Sequence, residues 1–272
     1  MNSSEAPQHP IDLTILVTCY NEEKYIVDSL EAVVAAVKEA GISHEIIVID
    51  DCSKDRSVER VQDYLRQHPY YPITLHRNQV NCGFANNYVD GAFLGRGKYY
   101  HLACGDDSMP KEYLTAAYRL LGKADMVVPY QIQGEVAGKS FSRKMISRIF
   151  TRLVNLLSGY NLRYYNGLPI QLRHNVMRWH PVSYGFGFQA DILTMLLDQG
   201  VSYLQVYSRS VDKKGCGSTS LSLRNFLSVC HTLLEIFFRR IRRILYGKDW
   251  PKPVEVRLPE NTDGAAQLLK EH

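Results

Sequence analysis

The chain has 272 residues, enough to bury a substantial core as one large domain or a domain with an appendage. Its 45% hydrophobic and 22% charged content is that of an ordinary soluble globular protein, and a net charge of +4 is too mild to indicate a nucleic-acid partner. Six cysteines (19, 52, 82, 104, 216 and 230) show no C-x-x-C and no close His/Cys pairing, which disfavours zinc and fits free thiols in a reducing compartment.

Residues 1–10 are polar, carry Pro7 and Pro10, and are expected to be disordered, without a basic-then-apolar leader. Leu13 to Cys19 is β-rich and almost wholly apolar, as a central parallel strand should be. Asn21 can cap the helix that follows, which carries Ile26, Leu30, Val33, Val34 and Val37 and ends at Gly41. Glu45 to Ile49 reads as a second buried strand closing on Asp50 and Asp51. A helix with Val58, Val61 and Leu65 on one face runs from there toward Pro69. A third strand is expected at Ile73–His76, then a loop from Arg77 to Gly83 and a helix over Ala85–Leu94. The strand from Tyr99 to Cys104 runs into Gly105, Asp106 and Asp107 and stops at Pro110, suited to the first turn of a helix near Lys111. Either an Asp caps that helix, or the adjacent carboxylates meet a cation that offsets their repulsion.

Strand and helix alternate throughout, which predicts an α/β fold: a Rossmann-like three-layer sandwich around a mostly parallel sheet. There is no G-x-G-x-x-G after the first strand and no Walker lysine, so an ordinary dinucleotide domain or P-loop enzyme is disfavoured. Polar clusters instead stand at three strand ends, at Tyr20/Glu22, Asp50/Asp51 and Asp106/Asp107. In a parallel sheet those ends share one edge and converge on one crevice. Hard carboxylate oxygens suit Mg2+ or Mn2+, which usually bind one or two carboxylates plus substrate phosphates.

In the second half, a strand is expected near Met126–Pro129, then a helix from about Gly138 to Leu157 that Gly159 ends in a left-handed cap. On it Met145, Ile149, Leu153 and Leu156 form a stripe, with Lys144, Arg148 and Arg152 on another, solvated face. Tyr184 to Asp191 leads into a helix through Leu196 and Leu197, and Val201–Val206 reads as a strand. Phe226 to Tyr246 forms an amphipathic basic helix. Leu227, Cys230, Leu234, Phe237, Ile241, Ile244 and Leu245 share one side, and Arg239, Arg242 and Arg243 lie opposite. Such a helix can lie in a membrane interface, or dock on the main domain or a dimer partner. Residues 247–272 are expected to be a flexible tail. No run of about 18 apolar residues suggests a membrane span, so the expectation is a cytoplasmic chain, able to sit peripherally on the cytoplasmic membrane face.

Thr18-Cys-Tyr-Asn-Glu-Glu, Glu45-Ile-Ile-Val-Ile-Asp-Asp-Cys-Ser-Lys-Asp, Asn81-Cys-Gly and Gly105-Asp-Asp together resemble a family 2 glycosyltransferase of the GT-A fold. The polyprenyl-phosphate branch, similar to dolichol-phosphate mannose synthase, is the nearest match, and the likeness covers about residues 11–225, the expected catalytic domain. The resemblance implies an inverting, metal-dependent hexosyltransferase taking a UDP- or GDP-sugar. The acceptor would be a polyprenyl phosphate or another lipid-linked or glycan acceptor, and a homo-oligomer is compatible with it.

By that resemblance Tyr20, Glu22, Asn81 and Gly83 lie beside the nucleotide, an Asp of the Asp50/Asp51 pair hydrogen-bonds the base, and Asp106 and Asp107 hold Mg2+ or Mn2+, Asp107 foremost. Gly105 takes the family's first acidic place. Arg143 matches the arginine used on the acceptor phosphate, and Lys213 stands where the family puts an arginine over the donor diphosphate. Asp191 takes the acidic position facing the acceptor and is the candidate base for a hydroxyl acceptor. Two other classes share parts of this pattern: a sugar nucleotidyltransferase, which needs a glycine-rich basic loop after the first strand that this sequence lacks, and a noncatalytic nucleotide-binding relic.

Overall fold

In the computed structural model the described residues are 11–130, 141–180, 187–208, 223–247 and 251–257, with backbone only at 141–143 and 223–224. The expected disordered residues 1–10, the Lys213 loop and the chain beyond 257 lie outside them.

The first strand, β1 (Leu13–Cys19), is buried along its whole length apart from Thr18, which is half-buried. Its odd-numbered residues Leu13, Ile15, Val17 and Cys19 enter one core, and Leu16 enters the other, the period-2 alternation of a strand covered on both faces. Helix α1 (Ile26–Ala40) closes the first core with Ile26, Leu30, Val33 and Val37. It ends at Gly41, as the sequence predicts, in a left-handed cap with φ of +68°. Strands β2 (His44–Asp50), β3 (Ile73–Arg77) and β4 (Tyr99–Cys104), with helices α2 (Ser57–Gln67) and α3 (Phe84–Leu94), follow within a residue or two of expectation. Helix α4 (Lys111–Tyr118) joins α1 and α2 in one layer.

Strand β5 (Met126–Tyr130) leads to α5 (Phe141–Ser158), the short β6 (Ile170–Leu172) and α6 (Arg173–Met177), then α7 (Phe188–Asp198) and β7 (Ser202–Tyr207). Helix α8 (Leu223–Tyr246) and strand β8 (Val254–Glu255) complete the described chain. The sheet runs β3-β2-β1-β4-β6-β5-β7-β8, and among the described strands only β6 is antiparallel to its neighbours. Strand order reverses between β1 and β4, so the carboxyl ends of those two strands border the crevice of an open α/β sheet.

Three local expectations are corrected. Asn21 does not cap α1. It adopts φ +59°, its side-chain oxygen accepts the Lys54 N–H, and the helix begins only at Ile26. No Asp caps α4, whose first turn has no side-chain cap; Asp106 bonds instead to the N–H of Ser108. Part of the expected flexible tail is ordered: β8 extends the sheet beside β7, and Pro251 lies against Gly200.

The larger correction concerns α8. Two of its arginines turn inward while Arg242 stays exposed. Arg239 and Arg243 are largely covered, with side chains 17% and 11% exposed. Arg239 bonds Asp191 Oδ1 at 2.7 Å and Asp198 Oδ2 at 2.9 Å, and Arg243 pairs with Asp198 and the Tyr160 hydroxyl. Asp191 and Asp198 lie two turns apart on α7 and Arg239 and Arg243 one turn apart on α8, so both pairs meet across one seam. Gly187 lets the helices close up there, because an added Cβ would stand 2.2 Å from Thr232 Oγ1. The inward face is thus Thr232, Ile236, Arg239 and Arg243, and the predicted apolar side, including Leu234, Ile244 and Leu245, is exposed. The same reversal holds on α5, where Phe150 and Val154 pack inward and the stripe of Met145, Ile149, Leu153 and Leu156 is exposed.

Truncating one member of a buried ion pair strands its partner without water or countercharge. R239A is expected to lower unfolding free energy by about 3–5 kcal/mol in urea titrations, whereas R242A, at an exposed position of the same helix, changes it by less than about 0.5 kcal/mol.

Candidate active site

A cleft of about 400 Å3 opens at the carboxyl edge of β1 and β4, within the size range of small-molecule sites. β1 and its loop contribute Thr18, Cys19, Tyr20 and Glu22; the loop after β2 contributes Asp51; the β3–α3 segment contributes Asn81, Gly83, Phe84 and Asn87; and β4 contributes Cys104, Gly105 and Asp106. Parallel register brings them together: Cys19 pairs with Asp50, and Thr18 with Cys104.

The loops after β1 and β2 clasp each other. Ser53 Oγ accepts from Asn21 N–H, Ser57 Oγ from Glu22 N–H and Asp55 Oδ2 from Glu23 N–H, at 2.8 to 3.1 Å. The only non-glycine residues with positive φ among those described are Asn21 (+59°), Cys52 (+67°) and Asp107 (+51°), one after each of β1, β2 and β4. The unfavourable backbone of the fold is gathered at these three strand ends, where hydrogen bonds hold it.

The Asp50/Asp51 pair divides its work. Asp50 is 1% exposed, accepts the Ser53 N–H at 3.3 Å, stands 4.0 Å from Arg77 Nε, and is not part of the cleft wall. Asp51 lines the cleft and accepts from Asn78 Nδ2 at 2.9 Å, Cys82 N–H at 2.8 Å and Gly83 N–H at 2.9 Å. Gly83, with φ of +86°, turns the chain so that its N–H meets that carboxylate and α3 begins at once. Asn81 donates to the Asp51 carbonyl at 3.2 Å. Asn78 also bonds Asn87 Oδ1 at 2.7 Å. Neither Asn78 nor Asn87 was singled out from sequence; the hint available was an amide-rich run after a strand that ends in paired acids.

Across the cleft, burial pushes the Glu22 carboxyl up to about 7, reinforced by the carboxylates of Asp106 and Asp55. The thiols of Cys19 and Cys104 are likewise pushed up by burial, so neither is poised as a nucleophile. Asp106 faces the cleft. Asp107 is not in its wall, and its N–H bonds Ser29 Oγ of α1 at 2.7 Å. Gly105 has no room for a side chain: a Cβ there would stand 2.3 Å from the Thr18 carbonyl oxygen, which already accepts the Gly105 N–H at 3.0 Å.

The donor set bears on a cation. Among the described residues no group of three or more His, Cys, Asp or Glu could cage a metal ion. The cleft fits a Mg2+ or Mn2+ ion that takes one or two carboxylates and completes its shell with phosphate oxygens and water. Burial, and after it the carboxylates of Asp106 and Asp55, raises the Glu22 carboxyl at this edge of the cleft.

Asp191 lies near the cleft but not in its wall: Phe188 on the same helix packs on Phe84, ring centres 5.6 Å apart. Asp191 is 4% exposed, with Oδ1 committed to Arg239 and Oδ2 accepting from Trp179 Nε1–H at 2.9 Å. Both oxygens of Asp191 are thus engaged by neighbouring side chains in this structure. Arg143 falls in the first turn of α5, and its side chain, like Lys213, lies outside the described residues.

A sequence profile described as Glycosyl transferase family 2 matches residues 14–182, more than half of the chain. A dolichyl-phosphate beta-glucosyltransferase of Dictyostelium discoideum is 32% identical over 100 residues, spanning 34% of this chain and 31% of that protein; the chain thus matches about a third of the length of that relative. Among solved structures, mannosyl-3-phosphoglycerate synthase from Rubrobacter xylanophilus superposes with a TM-score of 0.62 at 13% identity, over 92% of this chain and 79% of that one. Glucosyl-3-phosphoglycerate synthase from Mycobacterium tuberculosis, in complex with Mn2+, UDP and phosphoglyceric acid, gives 0.60 at 14% identity, over 82% and 79%. At such identities the structures establish the shared fold, a GT-A-like mostly parallel α/β sandwich.

A carboxyl whose folded pKa lies above its unfolded value holds a proton the unfolded chain has released. Glu22 therefore costs stability as pH rises from about 4.5 to about 7, and the cost is complete above that. Glu22 is half-buried and partly screened, so the shift is discounted to about 1 kcal/mol. E22Q is expected to raise Tm by about 2–4 °C at pH 8 and to leave it unchanged near pH 4, read by thermal unfolding across pH.

Proposed function

The chain belongs to glycosyl transferase family 2, and from that premise we propose that it transfers a hexose, with inversion, from a UDP- or GDP-sugar to a polyprenyl phosphate or another lipid-linked acceptor. The observation that carries the reading is the cleft itself: Tyr20, Glu22, Asp51 and Asp106 on one rim at the switch point between β1 and β4.

In this reading Asp51, fixed by Cys82 and Gly83, offers its remaining acceptor capacity to the base, flanked by Asn81 and by Tyr20, which is 47% exposed. Asp106 and Asp107 would hold Mg2+ or Mn2+, which when bound supplies Lewis-acid stabilisation of the departing diphosphate. Glu22 shares that acidic corner with Asp106 and would add a further carboxylate beside the ion. Arg143 and Lys213 would hold acceptor phosphate and donor diphosphate respectively. The relative that acts on a dolichyl phosphate supports a lipid-phosphate acceptor. So does the pairing of Asp191, because a phosphate is already ionised and needs no base, whereas a hydroxyl acceptor would require that carboxylate freed from Arg239.

Thermal unfolding with a panel of UDP- and GDP-sugars tests the reading. With Mn2+ and the correct donor at about 100 times Kd, Tm should rise by about 5–10 °C. Chelation and D106N should each remove most of that rise and of sugar transfer to a lipid extract. A donor that stabilises and is consumed equally well in EDTA would refute the metal-assisted mechanism.

A further inference from the structure

No helix among the described residues is long and apolar enough to cross a membrane. Yet of the nineteen large hydrophobic side chains exposed among the described residues, thirteen lie on α5 and α8. Leu156 is 78% exposed, Ile244 70% and Leu245 67%. A patch of this kind marks an interaction site, since soluble proteins rarely gather so many large apolar groups on one outward surface. The two helices pack on each other, and Phe150, Val154 and Ile236 enter the same core, so their outer faces belong to one side of the molecule.

The charge of the same two helices says what covers that side. Nine Lys and Arg stand on them against the single acid Glu235, a formal +8, so the rest of a +4 chain carries −4. Arg239 and Arg243 turn inward to Asp191 and Asp198, while Arg148, Arg152 and Arg242 are exposed among the apolar residues. An isologous dimer through this face would set like charges against each other. A surface that accepts large aliphatic side chains and attracts cations along the same plane is an anionic bilayer.

We propose that the outward faces of α5 and α8 dock this protein on an anionic lipid surface, with α8 held to the catalytic domain by its inward arginines. The inference goes beyond the glycosyltransfer reading and does not depend on donor, cation or acceptor.

Cosedimentation tests it with two vesicle types, phosphatidylcholine alone and a three-to-one mixture of phosphatidylcholine with phosphatidylglycerol. The protein should sediment with the mixed vesicles and stay in solution with the neutral ones, and added salt should release it. R148E/R152E and, separately, I244S/L245S should weaken binding by tenfold or more, with Tm and donor-induced stabilisation unchanged because these side chains are exposed. Failure to sediment with anionic vesicles would overturn the proposal. So would equal binding by both variants, or a concentration-dependent dimer in light scattering that the same substitutions abolish. Loss of donor stabilisation in the parent protein would strike the catalytic reading alone.

Discussion

The register of β1 against its two neighbours is the constraint on which the site depends. Parallel pairing ends with Cys19 beside Asp50 on one side and Thr18 beside Cys104 on the other, so the chain leaves all three strands at one height. A slip of one residue would turn Leu13, Ile15 and Val17 to the opposite face and carry the loops out of step. The apolar burial that fixes the register therefore also fixes the carboxylates. What the core cannot fix, the loops supply, through serine and aspartate side chains that tie the turn after β1 to the turn after β2.

The second half is held by a different force. Between α7 and α8, two carboxylates and two guanidinium groups are taken out of water together, with Trp179, Thr194 and Tyr160 meeting them. Such a seam is weak evidence for net stability, because desolvation offsets much of the attraction. Apolar helices can slide or rotate on a core; a fork of arginine on aspartate permits one azimuth. Here the azimuth chosen turns an amphipathic helix so that its oily side looks out.

Much of this was legible in the sequence. Alternating apolar runs and helical stripes gave the order β1-α1-β2-α2-β3-α3-β4, and the glycines gave the helix end at Gly41 and the left-handed cap at Gly159. The acidic strand ends gave the crevice. Periodicity states which residues share a face of α8 and is silent on which face turns inward. That was decided by an acid 48 positions away in the chain, and no local pattern reports it. The three-residue β6 was missed because so short a strand carries no period. It is held by burial of Gln171, whose amide donates to Tyr88 at 2.6 Å. Asn21 misled because an amide before a helix has two uses, and here it serves a left-handed turn.

Gly105 has a consequence for how this cleft could ever change. Its hydrogen atom points at the Thr18 carbonyl across the β1–β4 seam, and any larger group there must prise the two strands apart. A side chain at this position therefore requires the β1 and β4 backbones to move apart locally, at the pairing that borders the cleft. The acidic corner of the cleft is thereby left asymmetric, with side chains at Asp106 and on the β1 loop but none at the position between them and β4.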